Sequence, residues 1–154
     1  MPHNNKVILK QGFLANTFAD AIVIPIEPNE PIPDYIIDEV KRHFSVELKQ
    51  ISYNNIGKIN ILEFENNRSN NLKPLFHVLL AVIPRGHRST KKHISSVMQE
   101  ICTFSQASKD VRDIAITIPD LESTQISDLD AYELMYNIFN RDSFKECVLE
   151  IYVE

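Results

Sequence analysis

The sequence predicts an α/β fold, a three-layer α/β/α sandwich built on a mixed six-stranded sheet. Segments of strand and helix character follow one another as β-β-α-β-β-α-β-α-β. That order joins parallel neighbours through helices on both faces of a sheet. Two of the strands, 20–26 and 75–83, are apolar at nearly every position, as parallel strands buried on both faces are. A third observation bears on function. The 154 residues contain three glycines, Gly12, Gly57 and Gly86, none next to another. Folds of this class usually hold ligands on glycine-rich loops at strand ends, and here proline and carboxylates occupy those loops.

Lys6 to Lys10 reads as a short strand stopped by Gly12. Asp20 to Ile26 is a central strand that ends or bulges at Pro25, which has no ladder donor. Residues 27–33 contain three prolines and cannot be regular structure. Asp34 is placed to cap a helix with Ile36, Ile37, Val40 and Phe44 on one face. Val46 to Tyr53 fits either a loop or a short extra strand. Gly57 to Phe64 alternates and reads as an outer strand. Asn66 to Asn71 is rich in loop formers, and Leu75 to Ile83 is a buried strand. The longest helix follows, with Ser89 or Thr90 as its cap and an apolar stripe of Ile94, Val97, Met98, Ile101 and Phe104. Arg112 to Pro119 is another strand. Ser127 and Asp130 resemble a capping box for a helix carrying Ala131, Leu134, Met135 and Ile138. In the last strand, Cys147 to Val153, Val148, Glu150 and Tyr152 alternate with apolar residues, so one face is expected to be more exposed.

A chain of this size fits one domain spanning 1–154, with a core that needs no staples. Hydrophobic content of 44% and charged content of 24% are ordinary for a soluble protein. A formal net charge of −5 argues against broad binding to nucleic acid or anionic membranes. Cys102 and Cys147 sit in apolar stretches without zinc-ligand spacing, so buried free thiols are expected. Residues 1–5 lack the blocks of a signal peptide, and no apolar run reaches the length of a membrane span. The expected location is the cytoplasm.

Three stretches carry a resemblance. Lys10-Gln11-Gly12 followed by Asp20-Ala21-Ile22-Val23 is the first. Phe76-His77-Val78, leading into an apolar strand and a long helix, is the second. Arg112-Asp113-Ile114-Ala115, running to Pro119, is the third. Together with the element order they resemble the macro domain superfamily, whose best-known members bind ADP-ribose. The resemblance implies a pocket at the carboxyl ends of the central strands, in agreement with the switch-point rule for open α/β sheets. The family's ligand residues are not matched. Phe13 stands where binding members hold adenine with aspartate, and Ile24-Pro25-Ile26-Glu27 stands where they have asparagines. Residues 28–33 and 120–125 replace their glycine phosphate loops. Asp20 to Ile26 followed by Pro31 to Asp34 is also similar to the amino-terminal, non-catalytic domain of leucyl aminopeptidases, as are Gly57 to Leu62 and Leu79 to Ile83. The peptidase activity resides in a separate catalytic domain and does not carry over.

A diphosphate cradle needs inward N–H groups, usually at positive φ, and proline removes the donor. Glu27, Glu30, Asp120 and Glu122 would repel a diphosphate by about a few kcal/mol per close pair at an effective dielectric constant of about 20. Glu27, Asn29, Glu30, Asp120 and Glu122 are therefore the expected rim of a pocket that does not use the usual ADP-ribose loops. The basic stretch 85–93 runs from a strand end into a helix start, where free N–H groups and cations can hold an anion. Arg85, Gly86, His87, Arg88, Ser89 and Lys91 are its candidate ligand residues.

His77 is expected to be a core or half-buried histidine, and Tyr132 and Tyr136 to fringe the core. The acids at 120, 122, 128 and 130 match no calcium loop, and no serine sits in a nucleophile elbow. No metal, cofactor or complete catalytic constellation is expected. The leading reading is a non-catalytic macro-like module for a small anionic ligand, a protein partner or a second copy of itself. The alternative is a divergent nucleotide or ADP-ribose binder that uses Arg85 to His93. A weaker third is a deacylase or glycohydrolase with Glu27 as base.

Overall fold

A computed structural model describes residues 6–12, 14, 17–66, 73–84, 91–117 and 127–153. Six strands and three helices follow in the order β1 (Val7–Gln11), β2 (Ala21–Ile26), α1 (Asp34–Phe44), β3 (Ile59–Glu65), β4 (Leu75–Val82), α2 (Lys91–Ala107), β5 (Asp113–Thr117), α3 (Asp128–Asp142) and β6 (Val148–Val153). They form one mixed sheet in the order β1-β6-β5-β2-β4-β3. Every neighbouring pair is parallel except β3 with β4. The expected fold class and element order are those observed.

The two faces of the sheet carry separate cores. On one, α2 and α3 pack Ile101, Met98, Met135 and Phe139 against Val23, Leu79, Ile114 and Leu149. On the other, α1 lays Val40 and Phe44 over Ile22, Ile24, Val78 and Leu80. Alternation along β2 and β4 sends successive apolar side chains into opposite cores, which is why both strands read as unbroken apolar runs. β2 pairs with β5 only from Ala21↔Ile114 to Val23↔Ile116, whereas its pairing with β4 continues to Ile26↔Val82. Pro25 thus lies past the end of the β5 ladder, where its missing N–H breaks no bond on that side.

Local signals account for most boundaries. Ser127 is the N-cap of α3, and its Oγ accepts the Asp130 N–H at 3.1 Å. α1 differs from expectation by one residue. Pro33 holds the cap position and Asp34 is the first helical residue, its carboxylate accepting from Gln50 Nε2 at 2.8 Å. The loop supplied a partner for Asp34 that local sequence does not show. The helix ends on Ser45 in the left-handed region, φ 59°. The expected caps of α2, Ser89 and Thr90, lie outside the described residues. The stretch 46–53 is a loop with one isolated bridge, Pro31↔Ser52.

The last strand corrects the expectation of an exposed face. Glu150 is 8% and Tyr152 6% exposed. The chain between β1 and β2 crosses from the sheet edge to the fourth strand on the α1 face, where Leu14 and Ala19 join that core. In passing it covers Glu150, whose Oε1 accepts from Thr17 Oγ1 at 2.9 Å and Tyr152 Oη at 3.0 Å, with Lys10 Nζ at 3.5 Å. Alternation alone cannot show that a polar face is buried under a crossover that satisfies its polar groups. Burial pushes the Tyr152 hydroxyl up from its ordinary value.

Both cysteines are free and buried, as expected, and burial pushes each thiol up to about 12. Tyr132 packs against the core, while Tyr136 is exposed beside it with ring centroids 6.0 Å apart. Among the described residues no helix is long and apolar enough to cross a membrane.

Gly57 opens the outer hairpin under a strict constraint. Its φ is +79°, its N–H donates to Val82 O at 2.8 Å, and its carbonyl accepts from Ser96 Oγ at 2.6 Å. A Cβ here would lie 3.1 Å from Ser96 Oγ. Gly57→Ala is expected to cost about 1–3 kcal/mol from backbone strain and crowding, read as a drop in Tm of several degrees by calorimetry. Ser96→Ala alone loses the hydrogen bond but makes room, so the double variant should recover part of the loss.

Candidate functional site

β2, β4 and β5 run parallel, so the segments that leave their carboxyl ends share one pole of the sheet. After β2 come residues 27–33. After β4 comes the basic stretch, of which Arg85, Gly86, His87, Arg88 and Ser89 lie outside the described residues. Lys91 is described, as the exposed first residue of α2. After β5, Asp120 and Glu122 also lie outside the described residues. The structure places Glu27 half-buried and Asn29 and Glu30 exposed at this pole.

The backbone of 27–33 turns away from the pole and binds its own chain. The Asn29 N–H donates to Tyr53 O at 2.7 Å and the Ile32 N–H to Ile51 O at 3.3 Å. Gln50 Nε2 donates to Ile32 O at 3.2 Å, and Pro31 bridges to Ser52. Ile32 is 1% exposed and plugs the α1-face core. Pro28, Pro31 and Pro33 have no N–H to offer. The left-handed residue of this segment is Asn29, φ 62°; asparagine tolerates that region better than other side-chain-bearing residues. Of the four N–H groups in the segment, two are thus spent on residues 51 and 53. The prolines were visible in the sequence. The docking strip 50–53 was not, because nothing local marks it as a partner.

At the opposite, amino-terminal pole lies a polar centre that motif reading passed over. Asp20 is 4% exposed. Its Oδ2 accepts from Lys73 Nζ at 2.8 Å, the Arg112 N–H at 2.8 Å and the Asp113 N–H at 3.2 Å. Its backbone N–H donates to Asp113 O and its carbonyl accepts from His77 N. One residue therefore joins the starts of β2, β4 and β5. Burial, then the charges of Asp20 and Glu150, push the neighbouring Asp113 carboxyl up. Beside this centre opens a cavity of about 520 Å³, between the start of β4, the end of α2 and the α2–β5 loop. Asp20, Glu63, Lys73, Leu75, His77, Asp110 and Arg112 are among its lining residues.

His77 is 8% exposed, as a core histidine should be. Its ring meets Phe104 edge-on at 5.3 Å and its Nε2 lies 3.6 Å from Glu63 Oε1. Its Nδ1 is buried and has no hydrogen-bond partner among the described residues. Burial pulls the imidazole below its ordinary value, with the Glu63 charge opposing. Among the described residues no group of three His, Cys, Asp or Glu side chains could hold a metal ion.

Two outcomes follow from this pole. Asp20→Ala leaves Lys73 and two strand N–H groups without their acceptor, a loss of about 2–4 kcal/mol, measurable by denaturant unfolding. His77 sets a pH dependence of known sign. Above pH 6.5 both folded and unfolded chains hold a neutral ring. Below it the unfolded chain takes a proton that the folded chain, with its lowered value, resists. Stability therefore falls as pH drops through 6.5 and levels off only below the folded value. His77→Phe should flatten that part of a stability-against-pH curve.

No protein-family model matches the chain, and no curated protein matches it. Solved structures do. The macrodomain of Mycobacterium tuberculosis DarG superposes with a TM-score of 0.69 at 13% identity, over 98% of this chain and 99% of that one. Thermosipho africanus DarTG in complex with ADP-ribose superposes with a TM-score of 0.66 at 15% identity, over 96% of this chain and 42% of that one. A Trypanosoma brucei macrodomain in complex with ADP-ribose gives a TM-score of 0.65 at 10% identity, over 97% and 64%. Sheet order, helix placement and this likeness agree that the chain has the macrodomain fold.

Proposed function

We propose that this chain is a non-catalytic binding or interaction module of macrodomain fold that takes its ligand without a glycine-lined diphosphate cradle. The observation that carries the reading is the fate of residues 27–33. Three are prolines, and the N–H groups of Asn29 and Ile32 are spent on Tyr53 and Ile51. A diphosphate at this pole would meet Glu27 and Glu30 where it needs donors.

Two structures that share the fold hold ADP-ribose, which supports a small anionic ligand. The cations assigned to hold it are Lys91, at the start of α2, and from the sequence Arg85 and Arg88, with Gly86, His87 and Ser89 between them. Glu27, Asn29 and Glu30 stand at its rim, with Asp120 and Glu122 assigned there from the sequence. The sequence likeness to the amino-terminal domain of leucyl aminopeptidases supports a domain that binds or associates rather than reacts, and it leaves a protein partner or a second copy of the chain as further occupants. Two unpaired, buried thiols suit a reducing, cytoplasmic setting.

The basic stretch also supports a second reading, a divergent ADP-ribose or nucleotide binder using Arg85 and Arg88. Thermal shift separates the two. The first predicts that ADP-ribose at about 1 mM moves Tm by less than about 1 °C. A larger shift that disappears in Arg85→Ala/Arg88→Ala would establish the second reading and overturn the first.

A further inference from the structure

The cavity at the amino-terminal pole shares no lining residue with the ligand pole. Among the described residues, each of its two cationic side chains has a carboxylate partner. Lys73 Nζ pairs with Asp20 at 2.8 Å and also donates to Asp110 O, and Arg112 pairs with Glu146 at 3.4 Å. What remains is acceptors. Glu63 is 61% exposed, its ion-pair partner among the described residues being His77 at 3.6 Å. Asp110 is exposed, with its backbone rather than its carboxylate taken by Lys73. A neutral His77 that turns Nε2–H toward Glu63 leaves Nδ1 as an unmet acceptor, buried in the wall of the cavity.

The helix behind the cavity adds to this sign. α2 runs 17 residues and ends at Ala107, which lines the cavity, with no basic residue in its last turn. The negative end of its dipole is therefore uncompensated by the helix itself and favours a cation there. Leu75 and Val111 supply an apolar wall, Leu75 being 40% exposed. The cavity volume of about 520 Å³ lies within the range of small-molecule sites.

We propose that this cavity is a binding site for a small organic cation, a protonated amine or guanidinium on a short aliphatic chain. The cationic head donates to the carboxylates of Glu63, on β3, and Asp110, just past the carboxyl end of α2, and the chain lies along Leu75 and Val111. The site shares no residue with the ligand pole, so either proposal stands if the other fails.

Calorimetric titration of the whole chain tests it. The probes are agmatine and putrescine, with tetramethylammonium as a cation that donates no hydrogen bond and glutarate as an anion. Agmatine or putrescine should saturate with a Kd of about 1 mM or tighter, as befits so few polar contacts. Glu63→Gln and Asp110→Asn should each weaken that binding about fivefold or more. Both side chains are exposed, so unchanged Tm values will show that the variants keep the fold. No saturation by about 10 mM, equal binding by wild type and both variants, or equally tight tetramethylammonium or glutarate would overturn the proposal.

Discussion

Asp20 is the constraint on which the arrangement of the sheet rests. A carboxylate 4% exposed is costly unless its lone pairs are met. Here one oxygen receives a lysine ammonium and two strand N–H groups. Those donors come from Lys73, just before β4, and from Arg112 and Asp113 at the entry to β5, the two neighbours of β2. Satisfying one charge therefore fixes the relative position of three adjacent parallel strands. In a parallel sheet, register set at one end is register set at the other. The positions from which residues 27–33 and the α2 start leave the sheet thus depend on a group at the far pole.

Backbone and charge accounting explains what each pole has left to offer. At the carboxyl pole, the segment after β2 spends two N–H groups on the strip 50–53 and has three residues with no N–H. What it presents outward is side chains, two of them acidic. At the amino pole, among the described residues, Lys73 pairs with Asp20 and Arg112 with Glu146, while Glu63 and Asp110 face outward as acceptors. The fold is shared with ADP-ribose-bound structures at 10–15% identity, so the architecture does not depend on a particular loop sequence. Fold depends on two apolar cores and strand register, and neither core includes Glu27, Asn29 or Glu30.

Much of the architecture was legible because burial on both faces leaves a local mark. β2 and β4 feed two cores, and their unbroken apolar runs say so. α3 announced its start through Ser127, whose hydroxyl needs a partner only three residues away. The misreadings share one cause, a partner remote in sequence. Asp34 was expected to cap α1, but Gln50 takes its carboxylate, sixteen residues on. Glu150 and Tyr152 were expected on a more exposed face, but a crossover 133 residues upstream covers them and supplies Thr17. Of the candidate site, the sequence marked 27–33 as unusual and could not show that it binds 50–53. It offered no sign of the amino-terminal cavity, whose Glu63, His77 and Asp110 are far apart along the chain and fit no motif.

By itself the sequence determined what local periodicity and residue chemistry can encode. That includes the alternation of strands and helices, their two-sided burial, the free thiols, and the absence of N–H donors at Pro28, Pro31 and Pro33. Only the tertiary structure decided where the donors and charges that do exist are spent. Asp20 gathers three strands, Glu150 holds the crossover, and Asn29 and Ile32 turn inward to the loop before Tyr53. The physical reason is that a hydrogen bond or ion pair buried between distant segments has no period to read. It becomes visible only when folding brings the donor and the acceptor together.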